Sequence, residues 1–274
     1  MSWRTPVLAY HANNVSGDDY ARNDHVALAS DLRSLTAAGW QVVSAHRVAA
    51  ALRGEAEPPP ARSVALTFDD GSWFDWHDLE HPTWGVQPSF ATLLRERRGV
   101  LPGVHGTSFV IVSPEARARL DHTCMVGRGW WGHEWWAEAA REGVLAIESH
   151  SWDHNHDTLP ATAMGDAAKG TFRNVATHAQ ADAEIRRAAD WLDAHLATRS
   201  TLFAYPYGET SAYLREEYFP RFAHEHRVRA AFGTVPEPVT PASDRWDVPR
   251  YVCGFHWKSP AEFEALLRDA AGSG

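Results

Sequence analysis

The stretch "SVALTFDDGSW", residues 63–73, decides the fold. Val64, Ala65, Leu66 and Phe68 read as a buried strand, and Asp69, Asp70 and Gly71 end it. Two adjacent carboxylates at a strand end repel each other and resist burial, and no basic residue stands beside them. The pair calls for a cation. Two further segments share the pattern: "GVLAIESHS" (143–151) and "TLFAYPYGE" (201–209) each run from apolar residues straight into polar or turn residues. In a β/α barrel the catalytic groups gather at the C-terminal ends of the strands, and three strands ending this way point there.

Outward from these three segments, strand and helix alternate, as in a largely parallel sheet covered by helices. "PVLAYHA" (6–12), "WQVVS" (40–44), "GTSFVIV" (106–112) and "RVRAAFG" (227–233) read as strands. Helices are expected after Asn23 or Asp24 up to Gly39, near 46–53, around 88–98 and over 181–196. A last helix starts with Ser259 as cap, Pro260 at its first position and Glu262 completing a capping box. Segments 72–105 and 113–142 are longer than a barrel needs and read as insertions that shape a substrate site. They carry most of the 13 tryptophans, which serve either as core or as platforms for flat ligands.

Composition narrows the function. Thirty-five acidic against 26 basic residues give a net charge of −9, which argues against a nucleic-acid partner. No window approaches the length of a membrane span, and two cysteines are too few for a disulfide framework. The N-terminal residues show no signal-peptide pattern, so a cytoplasmic location is expected. With no linker long enough to divide it, the chain is expected to form a single domain over residues 1–274.

"SHSWDHNHD" (149–157) holds His150, His154 and His156. His150 and His154, four apart, face one way if this stretch turns helically, a spacing suited to two imidazoles on one metal. With one aspartate oxygen they leave a coordination position open, as in a catalytic zinc-type site.

"TFDDG" (67–71), "SHSWDH" (149–154) and "FAYPYG" (203–208) together resemble the motifs of the NodB-homology polysaccharide deacetylases, carbohydrate esterase family 4. "LAYH" (8–11) and "VPRY" (248–251) are similar to the branch that de-N-acetylates poly-β-1,6-N-acetylglucosamine, and the resemblance spans roughly 5–270. It implies a distorted (β/α) barrel and a divalent metal, most commonly Zn2+, on Asp70, His150 and His154, with His156 as an alternative to His154. It further implies Asp69 as general base, a backbone N–H near Tyr207 polarising the acyl oxygen, and Ser151 holding the histidine loop. The arginine that opens the family's third motif is absent, Phe203 and Ala204 standing near its place; Arg250 is the replacement to test. The general acid is His256 or His11. The implied activity is removal of N-acetyl groups from an amino sugar or an N-acetylglucosamine-containing polysaccharide. An O-acetyl carbohydrate esterase, a cytosolic small-molecule amidase and a non-catalytic carbohydrate-binding protein are the competing readings.

Overall fold

The computed structural model describes residues 3–165 and 168–272, so the expected domain over 1–274 extends beyond it at 1–2, 166–167 and 273–274. Strands β1 (Val7–His11), β2 (Gln41–Val42) and β3 (Ser63–Asp70) come first. An antiparallel hairpin, β4 (Leu79–His81) and β5 (Gly85–Gln87), lies inside the first insertion and has no counterpart in the sequence reading. Strands β6 (Gly106–Val110), β7 (Leu145–Ser149), β8 (Leu202–Ala204), β9 (Ala230–Phe232) and β10 (Tyr251–Val252) complete the set.

All strands but the hairpin join one parallel sheet in the order β10-β1-β3-β6-β7-β8-β9, with β2 attached to β3. A parallel bridge between Phe232 and Val248 brings its two edges together, with Gly233 N–H donating to the Val248 carbonyl at 2.9 Å. The sheet is a curled, distorted (β/α) barrel. Its register places His11 opposite Asp69, Asp70 opposite Val110, and Val110 opposite Ser149, so the polar strand ends meet at one end of the barrel.

Side-chain caps fix where most helices begin. Asn23 caps α1 (Asp24–Ala37), Ser44 caps α2 (Ala45–Leu52), Ser89 caps α3 (Phe90–Arg95) and Ser113 caps α4 (Pro114–Cys124). After α5 (Trp136–Glu142), α6 (His178–Ala181) runs through a wide turn at 182–186 into α7 (Arg187–His195). Short helices α8 (Phe219–Arg221) and α9 (Ala223–His226) lead to β9, and α10 (Pro260–Ala271) follows β10. At α10 the Ser259 hydroxyl accepts from Glu262 N–H as expected, but the Glu262 carboxylate reaches the Lys258 N–H instead of that of the cap.

The tryptophans divide mostly in favour of core. Trp76, Trp131, Trp135 and Trp136 are buried, Trp76 and Trp135 stack, and the Arg117 guanidinium lies 4.7 Å from the centre of the Trp136 ring. The second insertion is thus a packed wall.

Candidate active site

Asp69 and Asp70 leave β3 with different partners. Arg250, just before β10, donates to both Asp69 oxygens, Nη1 to Oδ1 at 2.7 Å and Nη2 to Oδ2 at 2.8 Å. Its Nε donates to the Gly233 carbonyl at 2.9 Å and Nη1 also reaches Thr67 Oγ1, so a fully buried guanidinium has partners on every side. Burial pushes the Asp69 carboxyl up, but the Arg250 charge outweighs it and holds Asp69 well below the usual carboxylate range.

Asp70 adopts φ +77°, and Gly71 follows at φ +73° with Val110 so close that an added Cβ would lie 2.4 Å from Val110 Cγ1. The Asp70 carbonyl accepts from the Trp131 indole N–H at 3.0 Å and from Ile111 N–H at 3.2 Å, which pins this strained peptide. Its carboxylate faces two imidazoles, with Oδ1 3.7 Å from His150 Nε2 and 3.9 Å from His154 Nε2. Its other oxygen accepts from Asn13 Nδ2 at 3.0 Å.

His150 Nδ1 lies 2.9 Å from the Ala204 carbonyl, which can only accept, so the proton sits on Nδ1 and Nε2 presents its lone pair to Asp70. Burial and the neighbouring His150 and His156 keep His154 neutral, well below the usual histidine range. The loop carrying them is not helical, contrary to the sequence reading. Ser151, His154 and Asn155 have φ of +70°, +64° and +43°, and Ser151 Oγ accepts from His154 N–H at 2.9 Å. Left-handed turns, rather than helical spacing, bring the two rings together. Ligand atoms of Asp70, His150 and His154 all lie within 4.8 Å of one another, and one carboxylate with two imidazoles is a donor set that fits a divalent cation. His156 is turned elsewhere, with Nε2 3.7 Å from Cys124 Sγ. A second group, His178, Asp182 and Glu225, has its Asp182 carboxylate engaged by Arg186 and Tyr218.

Asp69, Asp70, His150 and His154 lie in the wall of a cavity of about 390 Å3 that also takes in His11, Tyr207 and His256. His256 Nδ1 accepts from Val252 N–H at 2.8 Å, so the neutral ring carries its proton on Nε2, and burial lowers its pKa. Tyr207, at φ +60°, sits in a turn closed by Gly208 and Glu209 N–H bonds to the Tyr205 and Pro206 carbonyls, and its own N–H takes part in neither.

Residues 56–218 match the family described as "Polysaccharide deacetylase". The chain belongs to that family. No curated protein matches the sequence. Among solved structures the deacetylase is similar to PplD from Streptococcus pyogenes, solved in complex with acetate, at 16% identity and TM-score 0.66, covering 97% of this chain and 99% of that one. IcaB from Ammonifex degensii aligns at 19% identity and TM-score 0.63, over 98% and 97% of the two chains. A de-N-acetylase from Aggregatibacter actinomycetemcomitans aligns at 14% identity and TM-score 0.62, over 96% and 99%. At these identities the likeness is one of fold.

Arg250, His11 and His256 of this deacetylase lie outside the matched segment, yet the barrel brings all three to the same end as Asp69. Sequence reading missed Asn13, Trp131, Cys124 and Phe255. Asn13 stands two residues after the end of β1 and shared the signal of a polar residue after an apolar strand. The other three carry no local signal, because their place depends on how the insertion and the last turn pack.

Proposed function

We propose that this polysaccharide deacetylase removes N-acetyl groups from an amino sugar or an N-acetylglucosamine-containing glycan and requires a divalent metal, zinc first among candidates. The observation that carries the reading is one cavity in which Asp70, His150 and His154 converge beside a separate carboxylate, Asp69, held ionised by Arg250. Asp70, His150 and His154 would hold the cation. It would supply Lewis acidity, acidifying a water and polarising the acyl carbonyl.

The other residues follow from their hydrogen bonds. Each Asp69 oxygen spends one lone pair on Arg250 and keeps another to accept the proton of the attacking water. Arg250 keeps that base ionised, at the cost of some basicity. His256 Nε2–H is a hydrogen-bond donor for the departing amine, its other nitrogen being committed as an acceptor, and the proton that amine takes up is the one Asp69 has accepted from the water. The Tyr207 N–H, outside the bonds that close its turn, is the donor assigned to the acyl oxygen.

Acetate release from N-acetylglucosamine oligomers tests this. The metal-loaded protein should release acetate, dialysis against a chelator should abolish release, and Zn2+ should restore it. Asp69→Asn should lower kcat at least about 100-fold, as loss of a general base does. Metal-loaded protein that releases no acetate, or an Asp69→Asn variant with unchanged turnover, overturns the reading.

A further inference from the structure

We propose that Phe255 is the platform on which the sugar next to the one being deacetylated stacks. The proposal rests on the deacetylase reading above and adds where the rest of the glycan lies. Of the tryptophans in the insertions, Trp76, Trp131, Trp135 and Trp136 are buried and have little ring surface free for stacking. Phe255 is 80% exposed, yet it lines the same cavity as Asp69 and Asp70. Phe255 thus offers an exposed aromatic ring to the cavity that holds the reactive groups.

Its exposure is built into the fold. Phe255 N–H and His256 N–H both donate to the Val252 carbonyl, and Gly254 N–H donates to the Trp257 carbonyl at 2.9 Å. Trp257 in turn is buried, with its indole N–H on Asp31 Oδ2 at 3.1 Å and its ring against Tyr10. The turn is anchored in the core on one side and offers Phe255 to solvent on the other. Presenting the ring in this way reduces the entropy lost when a ligand stacks on it.

The lining chemistry selects the occupant. His11, Asn13, Thr234 and His256 place hydrogen-bonding groups around the aromatic rings of Phe255 and Tyr207. A pyranose matches this, with a C–H face for the ring and a polar edge for the donors and acceptors. An acyl chain or apolar peptide would need a continuous apolar groove. No lysine or arginine lines the cavity among the described residues, so no permanently cationic side chain is there to select an anionic sugar. The occupant is the uncharged sugar next to the one being deacetylated.

Kinetics on N-acetylglucosamine and its β-1,4- and β-1,6-linked tetramers test the assignment. Phe255→Ala should lower kcat/KM on at least one tetramer about tenfold, mostly through KM, the scale of one stacking contact. The monosaccharide should change less than twofold, and Phe255→Trp should restore the tetramer value. Equal losses on monomer and tetramer, or no loss on either, overturn the platform. A Phe255→Ala variant that changes oligomeric state while tetramer kinetics stay constant makes Phe255 a protein contact, and also overturns it. Calorimetric binding of the tetramers to Asp69→Asn, with and without Phe255→Ala, separates the two readings. Tenfold weaker binding without any wild-type acetate release would sink the deacetylase reading and leave the platform standing.

Discussion

Arg250→Met leaves the Asp69 carboxylate buried with no countercharge, and breaking a buried pair from one side costs about 3–5 kcal/mol. With Asp69→Asn in the same chain no charge is stranded, so the double variant should be clearly more stable than Arg250→Met alone. Urea unfolding of the four proteins of that cycle measures the coupling, and strictly additive losses would contradict it. In Arg250→Met the main opposition to burial at Asp69 is gone, so the acidic limb of kcat/KM should move to higher pH. The two aspartates were legible because they break an apolar run, and their need for a cation followed from repulsion alone. Arg250 could be named from the missing motif arginine, but its bidentate geometry could not, since 181 residues separate it from Asp69. The backbone at the site was hidden for a related reason. Asp70, Ser151, His154, Asn155 and Tyr207 are five of the seven described non-glycine residues at positive φ, a state residue type does not announce.

At the scale of elements, the wall of the second insertion holds Asp70 from behind. Arg117, buried on α4, donates to the Trp131 carbonyl at 2.8 Å and to the Val112 carbonyl, with no carboxylate partner among the described residues; burial draws its pKa down to about 10. Trp131 passes that fixation on through its indole N–H to the Asp70 carbonyl. Trp131→Phe keeps an aromatic ring and deletes the N–H, so it should weaken Zn2+ binding about tenfold, as loss of an outer hydrogen bond to a ligand residue does. Competition against a chelating dye reads the Kd, and circular dichroism checks that the fold is kept. Unchanged affinity would confine Trp131 to packing. Element types were legible where a cap or an apolar run marks them, as at Asn23, Ser259 and β3. The hairpin β4–β5 and the 149–156 turn were not, because three-residue strands and left-handed turns give no periodicity to read.

For the whole molecule, β1 pairs with β10 and Thr5 bridges Val239, so residues from both ends of the chain complete one sheet. We propose one folding unit, which urea should unfold in a single transition. Its pH dependence is a contest between buried groups. His226 is buried and neutral, with Nδ1 accepting from Val228 N–H at 2.9 Å and Nε2 3.2 Å from the Phe219 carbonyl, and burial lowers its pKa to about 4. An unfolded histidine titrates near 6.5, so below that pH the unfolded chain takes up a proton that the folded one refuses. The His226 contribution is complete above about pH 6.5 and falls away as the pH drops through 4, by up to about 3 kcal/mol. Asp75 and Glu184 act in the opposite sense, since burial raises both and the folded state favours their protonated forms as the pH falls. The wild-type curve alone therefore cannot isolate the imidazole, but a difference can. The stability gap between wild type and His226→Gln, measured by urea unfolding, should shrink from pH 7 to pH 4 while both carboxyls act equally in the two proteins. A gap that holds constant over that range would place the His226 proton uptake in the folded state as well.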